Sequence, residues 1–126
     1  MTFNIKPKIA VDVNNKEKPF KLINSISYLS NYNYYIYIDK DYTWNGANVP
    51  RFLWRIIGSQ YNPEFLEASL VHDWLCENKQ FILEHGAKVS SDIFRDILVE
   101  NGVSKFKANL MSTAVYLWQL IQGGWN

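Results

Sequence analysis

The spacing of hydrophobic positions changes character near Pro50. Before it, apolar residues sit in short β-branched and aromatic runs. Ile9–Val13 reads as a strand followed by an Asn14-Asn15-Lys16 turn, and Phe20–Leu29 as a second strand with partial alternation. Ser30-Asn31-Tyr32-Asn33 reads as a turn, and Tyr34-Tyr35-Ile36-Tyr37-Ile38-Asp39 has the composition that a pleated surface favours. These runs predict a small antiparallel meander.

After Pro50 the apolar period is helical. Arg51–Ile57 predicts a short helix opened by Pro50. Asn62 as N-cap and Pro63 in the first turn open a longer helix running to about Asn78. Ser90 or Ser91 is expected to cap a third helix, with Ile93, Phe94, Ile97 and Leu98 as its stripe and Gly102 as its stop. Ser104 caps a fourth, whose stripe is Phe106, Leu110, Ala114, Leu117 and Ile121, ended by Gly123-Gly124. The predicted class is α+β, the meander packed on three or four helices. All 126 residues are expected to form a single domain, with residues 1–49 its meander and loop and 50–126 its helical part.

Composition narrows the function classes. A chain of this length buries roughly two-thirds of its unfolded surface, so neither metal nor disulfide is needed for a core. A net charge of +1 leaves no basic footprint for nucleic acid. Cys76 is the single cysteine. The start lacks a signal-peptide core, and no apolar run approaches the roughly 18 residues of a membrane helix. The expected location is a host cytoplasm, or a particle assembled there. Asn, Ile, Lys, Tyr and Phe make up 50 residues, the amino acids that AT-rich codons favour.

Candidate chemistry centres on Leu70-Val71-His72-Asp73-Trp74-Leu75. Helical geometry puts His72 on the apolar face and Asp73 at its edge. A buried imidazole needs a partner for each nitrogen, and a carboxylate within about 3.2 Å would equip it as a general base. A tie to a backbone carbonyl is the structural alternative. On the next helix, Ser91 shares the face of Phe94 and Leu98, with Asp92 one step off. Ser91 or Asp92 is therefore the side chain expected to reach His72, although helix capping alone accounts for both.

The loop from Asp39 to Asn48 collects oxygen ligands, but Thr43 and Trp44 break the EF-hand template. His72, Asp73 and His85 have no recognised metal-ligand spacing. Cys76 reads as a small core residue.

Trp44-Asn45-Gly46-Ala47-Asn48-Val49-Pro50-Arg51-Phe52-Leu53-Trp54, Leu70-Val71-His72-Asp73-Trp74-Leu75, Phe94 with Leu98, Gly102-Val103-Ser104 and Leu110-Met111 with Ala114-Val115 carry a resemblance. Together they resemble the phage and prophage family known as domain of unknown function 1353, over about residues 20–120. The resemblance implies a phage or prophage origin, compatible with the AT-rich composition, and carries no established activity. It marks Trp44, Asn45, Gly46, Asn48, Pro50, Arg51, Trp54 and Trp74 as motif positions. Asn45 stands where the family has Asp, Asn48 where it has Ser, and Ser91 where its third helix carries Asp. Asn45 and Ser91 thereby remove carboxylates near the presumed pocket.

The His-Asp pair is also similar in layout to calcium-dependent phospholipases that cleave the sn-2 ester. That likeness implies His72 as base, Asp73 with the Gly46 carbonyl as calcium ligands, and Asp92 as the residue orienting His72. The paired cysteines and glycine-rich calcium loop of those enzymes are missing. Two functions therefore follow as expectations. The first is a phage accessory or virion-associated protein without catalysis, acting through a phage structural protein, a host protein or self-association. The alternative is a small hydrolase using His72, Asp73 and calcium.

Overall fold

A computed structural model describes residues 2–12, 14–15, 17–45 and 63–122. The helix expected at 51–57, the Asn62 cap and the Gly123-Gly124 stop lie outside the described residues. So do the motif positions Gly46, Asn48, Pro50, Arg51 and Trp54. The arrangement is α+β, and the chain divides into two compact units, Met1–Asn45 and Gly46–Asn126.

The first unit holds, among the described residues, six short strands, β1 (Thr2–Phe3), β2 (Ile9–Val11), β3 (Phe20–Leu22), β4 (Ile26–Leu29), β5 (Tyr35–Ile38) and β6 (Thr43–Trp44). They form two antiparallel sheets, ordered β1-β4-β5 and β2-β3-β6, rather than one meander. The strand expected over 20–29 breaks at Ile23–Ser25, where side chains replace ladder bonds. Asn24 Oδ1 accepts from the Lys8 amide at 2.8 Å and Ser25 Oγ from the Lys40 amide at 2.9 Å. These side-chain acceptors take amides that a strand partner would otherwise satisfy, and the chain passes there from one sheet to the other.

Alternation decides which side chains are inward. On β4 and β5, Ile26 pairs with Ile38 and Tyr28 with Ile36, and all four are buried, while Tyr35 and Tyr37 face outward. Phe20 lies opposite Trp44, both buried, with ring centroids 5.6 Å apart. Two turns need left-handed residues and use Asn33 (φ 65°) and Asp41 (φ 74°), types that tolerate this region. Strands β1 and β6 escape the sequence pattern because two residues are too few to show alternation.

The second unit contains, among the described residues, α1 (Pro63–Glu77), α2 (Lys79–His85), α3 (Ala87–Glu100) and α4 (Lys105–Gln122). Pro63 opens α1 as its fixed φ favours. From Phe65 to Asp73 every side chain of α1 is buried. Helix α3 packs against both α1 and α4, with Ile93, Phe94, Ile97 and Leu98 inaccessible as their spacing predicts. Phe94 meets the Phe65 ring edge-on at 5.7 Å.

Three local expectations change. Residues 79–85, to which the apolar spacing assigns no helix, form α2, capped by Asn78 Oδ1 accepting from the Phe81 amide at 3.3 Å. Neither Ser90 nor Ser91 caps α3. Gly86, at φ 85°, breaks the chain after α2, so α3 starts at Ala87 and both serines fall inside its first turns. Ser90 Oγ instead donates to the Ala87 carbonyl at 2.7 Å.

The third change concerns α4. Ser104 does cap it, its Oγ accepting from the Lys107 amide at 3.2 Å. The face turned inward, however, is Ala108, Met111, Ser112, Val115 and Gln119. Phe106 is 81% exposed, Leu110 50%, Leu117 51% and Ile121 76%. The large apolar stripe lies on the opposite side of the helix from the one that is buried.

Helix α3 ends as its glycine predicts. The Gly102 amide donates to the Val99 carbonyl and the Val103 amide to the Leu98 carbonyl, both at 3.0 Å, with Gly102 at φ 98°. This is the Schellman pattern, which favours glycine at that position. A Cβ added at Gly102 meets nothing within 4 Å, so only backbone strain opposes it. Gly102→Ala is expected to cost about 1 kcal/mol, read from chemical denaturation.

Candidate functional site: a buried polar cluster around His72

His72 is fully buried, and its imidazole sits edge-on to Phe94 at 5.5 Å. Its ligand from another helix is an amide. Gln119, also fully buried, brings Nε2 to 2.8 Å from His72 Nε2 and to 2.8 Å from Cys76 Sγ. The Gln119 oxygen accepts from Ser91 Oγ at 3.4 Å. An amide nitrogen only donates, so His72 Nε2 accepts, and the neutral ring carries its proton on Nδ1. Asp73 Oδ1 lies 3.9 Å from Nδ1, and Cys76 Sγ lies against both ring nitrogens, 3.8 Å from Nδ1 and 3.7 Å from Nε2.

Three helices build this cluster for separate reasons. Helix α1 presents His72 and, one turn later, Cys76 on the same face. Helix α3 contributes Ser90 and Ser91, whose hydroxyls also satisfy the Ala87 carbonyl of their own first turn. Helix α4 contributes Gln119, in line with Ala108, Met111 and Val115 at spacings of three and four residues.

The expected residues divide accordingly. His72 and Asp73 are both buried and adjacent, and Ser91 joins them through Gln119. Asp92 does not reach His72 as an orienting carboxylate. It pairs with Lys88 and Arg95 along α3, one step round the helix from the inward-facing Ser91, with its side chain only 14% exposed. Trp44 is buried in β6, Asn45 is exposed at its end, and Trp74 is half-buried in α1. His85 lies on α2, 3.7 Å from Glu84, with its ring tilted against that of Phe81 at 4.6 Å. Gly46, proposed with Asp73 for calcium, is outside the described residues. Among the described residues no group of three or more His, Cys, Asp or Glu is placed to hold a metal ion.

Gln119 was missed because glutamine inside an apolar run reads as an interruption. Its signal was present in the regular spacing of Ala108, Met111, Val115 and Gln119. A second buried polar contact also escaped notice. Glu67, almost wholly buried on α1, accepts from Asn101 Nδ2 at 3.1 Å and so ties α1 to the end of α3.

Chemically, the arrangement holds His72 as an acceptor whose Nε2 lone pair is already committed. Cys76 is no activated thiolate. Burial pushes its thiol well above the usual range, the Asp73 charge adds to this, and the Gln119 contact only partly opposes it.

These features define an α+β protein whose helical part is organised around a buried imidazole–amide contact. The chain belongs to the family described as protein of unknown function (DUF1353), whose model matches residues 20–115. His72, Asp73, Cys76, Ser90 and Ser91 lie within the matched span and Gln119 beyond it. It is similar to the uncharacterized protein y4iH of Sinorhizobium fredii, 30% identical over 78 residues, 62% of this chain and 31% of that one. It is also similar to the uncharacterized protein y4jT of the same organism, 34% identical over 74 residues, 56% of this chain and 20% of that one. The matched segment thus spans less than a third of either relative. No solved structure matches.

Two predictions follow from the cluster. Gln119→Leu leaves His72 Nε2 without its donor and is expected to cost about 1–3 kcal/mol in denaturant unfolding. Combined with His72→Leu, the loss should fall short of the two single losses added, the mark of a shared contact.

The second concerns pH. The unfolded thiol ionises above about pH 8.5, whereas the folded thiol, raised by burial, does not. The stabilising contribution of Cys76 is therefore complete below about pH 8.5 and is lost progressively above it. Melting temperature should fall more steeply above that pH in the native protein than in Cys76→Ala. Parallel slopes would remove Cys76 as the cause.

Proposed function

We propose that this chain is a non-catalytic accessory module that acts through protein–protein contacts. In this reading it is encoded by a phage or prophage, acts in the host cytoplasm, and is carried in the particle or bound to a phage structural or host protein. The observation that carries the reading is the outward apolar face of α4, with Phe106 and Ile121 more than three-quarters exposed. Contiguous exposed apolar surface on a small protein marks an interaction site more often than a solvated one. The AT-rich residue usage supports the origin, and the near-neutral charge favours protein over nucleic acid as partner.

The test uses Leu117→Glu, a substitution at a half-exposed position, in the chain expressed in its own host. Wild type should be recovered in released particles or in a stable complex with a defined phage or host protein. The variant, folded by circular dichroism, should be depleted from both by about tenfold or more. Recovery of the wild type in neither removes the reading.

A second reading, a small hydrolase with His72 as general base and Asp73 as its calcium ligand, draws on the 3.9 Å approach of His72 Nδ1 to Asp73. It requires Gln119 to leave His72 Nε2 and water to reach the ring. Ester hydrolysis with and without chelator, compared with His72→Ala, decides it. Equal rates in both proteins discard this reading.

A further inference from the structure

We infer that the partner of α4 is a second copy of this chain, the two helices pairing antiparallel about a two-fold axis that passes between Thr113 and Ala114. This rests on the protein-contact reading and names its occupant. The argument begins with position. Phe106 and Ile121 are equally distant in sequence from the Thr113–Ala114 step, and so are Leu110 and Leu117. All four are at least half exposed and share one helix face.

A two-fold axis at that step therefore sets Phe106 of each copy against Ile121 of the other, and Leu110 against Leu117. Isologous pairing demands this self-complementarity, in which residue i meets j and j meets i. The two residues at the crossing are small, which lets the helix axes come close. From Leu110 to Ile121 the spacing is 4, 3 and 4, the seam of two packed helices.

Charge selects the direction. No charged residue occurs from Ala108 to Gln122, and the two cations of α4, Lys105 and Lys107, are both in its first turn. A parallel pair would bring four lysines together beside two positive helix ends. The antiparallel pair sets each lysine pair beside the partner's C-terminal carbonyls, the negative end of its dipole.

The test is sedimentation velocity on the full chain from about 1 to 500 µM, the range suited to an interface of modest area. A concentration-dependent dimer is expected, and Leu117→Glu should raise its dissociation constant by about tenfold or more with unchanged circular dichroism and melting temperature. Phe106→Lys and Ile121→Glu should each weaken the dimer. The double variant should recover part of it, since antiparallel pairing sets each new lysine against a new glutamate.

A monomer at every concentration overturns the second copy as partner. If that monomer nevertheless loses a defined complex with another protein on Leu117→Glu, the contact reading stands and only the self-association falls. Dimerisation without recovery in the double variant overturns the antiparallel axis.

Discussion

The hydrogen bond between Gln119 and His72 fixes the rotation of α4 about its own axis, and the rest of the helical unit follows from that rotation. An 18-residue helix offers two long faces. Here the inner one is mixed, Ala108, Met111 and Val115 with Ser112 and Gln119, and the outer one carries four large apolar side chains, Phe106, Leu110, Leu117 and Ile121. Burying a Leu, Ile or Phe is worth roughly 1.5–3 kcal/mol, so for an isolated chain the opposite rotation would bury more. A single neutral hydrogen bond, worth about 1 kcal/mol, does not offset four such side chains. Two constraints act against the alternative. The opposite rotation would take Ala108, Met111 and Val115 out of the core, and His72 would keep a buried nitrogen with no donor. The outward stripe is thus left for a surface other than the one that α3 supplies.

The same contact explains why the cluster reads as structure before it reads as catalysis. A general base needs a free lone pair and a path for water. His72 has its Nε2 occupied and no exposed surface. The thiol beside it is held protonated by burial, which also removes the nucleophile that a His–Cys pair would otherwise suggest. What the cluster does supply is uniqueness. Buried polar groups that satisfy one another accept only one register of α1, α3 and α4, whereas an all-apolar interface tolerates several.

Legibility in the sequence tracked the length and regularity of each signal. The stripe of α3, the Pro63 start of α1 and the Gly102 stop were plain because each combines a period with a terminal residue of known preference. Helix α2 was not, since seven residues with no buried side chain leave no apolar period to read. The split of Phe20–Leu29 between two sheets depends on Asn24 and Ser25 bonding to backbone far along the chain, which local pattern does not encode. At the site, His72 was found from its helical neighbours alone. Of the two α3 side chains expected to reach it, Ser91 does so only through Gln119, and Asp92 pairs with Lys88 and Arg95. Gln119 comes from 47 residues away, so its regular spacing on α4 marks an inward position without saying which group it meets.

The α4 stripe shows how a correct period can name the wrong face. Phe106, Leu110, Ala114, Leu117 and Ile121 do lie on one side of one helix, as their spacing says. Periodicity identifies a face that avoids water; it does not say whose atoms exclude the water. The sequence does hold a discriminating feature in the second regular set on the same helix, ending in Gln119. When a helix carries both a bulky apolar stripe and a mixed stripe that includes an amide, the amide needs a specific partner and the bulky stripe needs only an apolar one. The specific requirement is met within this chain, by His72. The nonspecific one is what a second protein surface can satisfy, and the uncharged run from Ala108 to Gln122 places no electrostatic obstacle in its way.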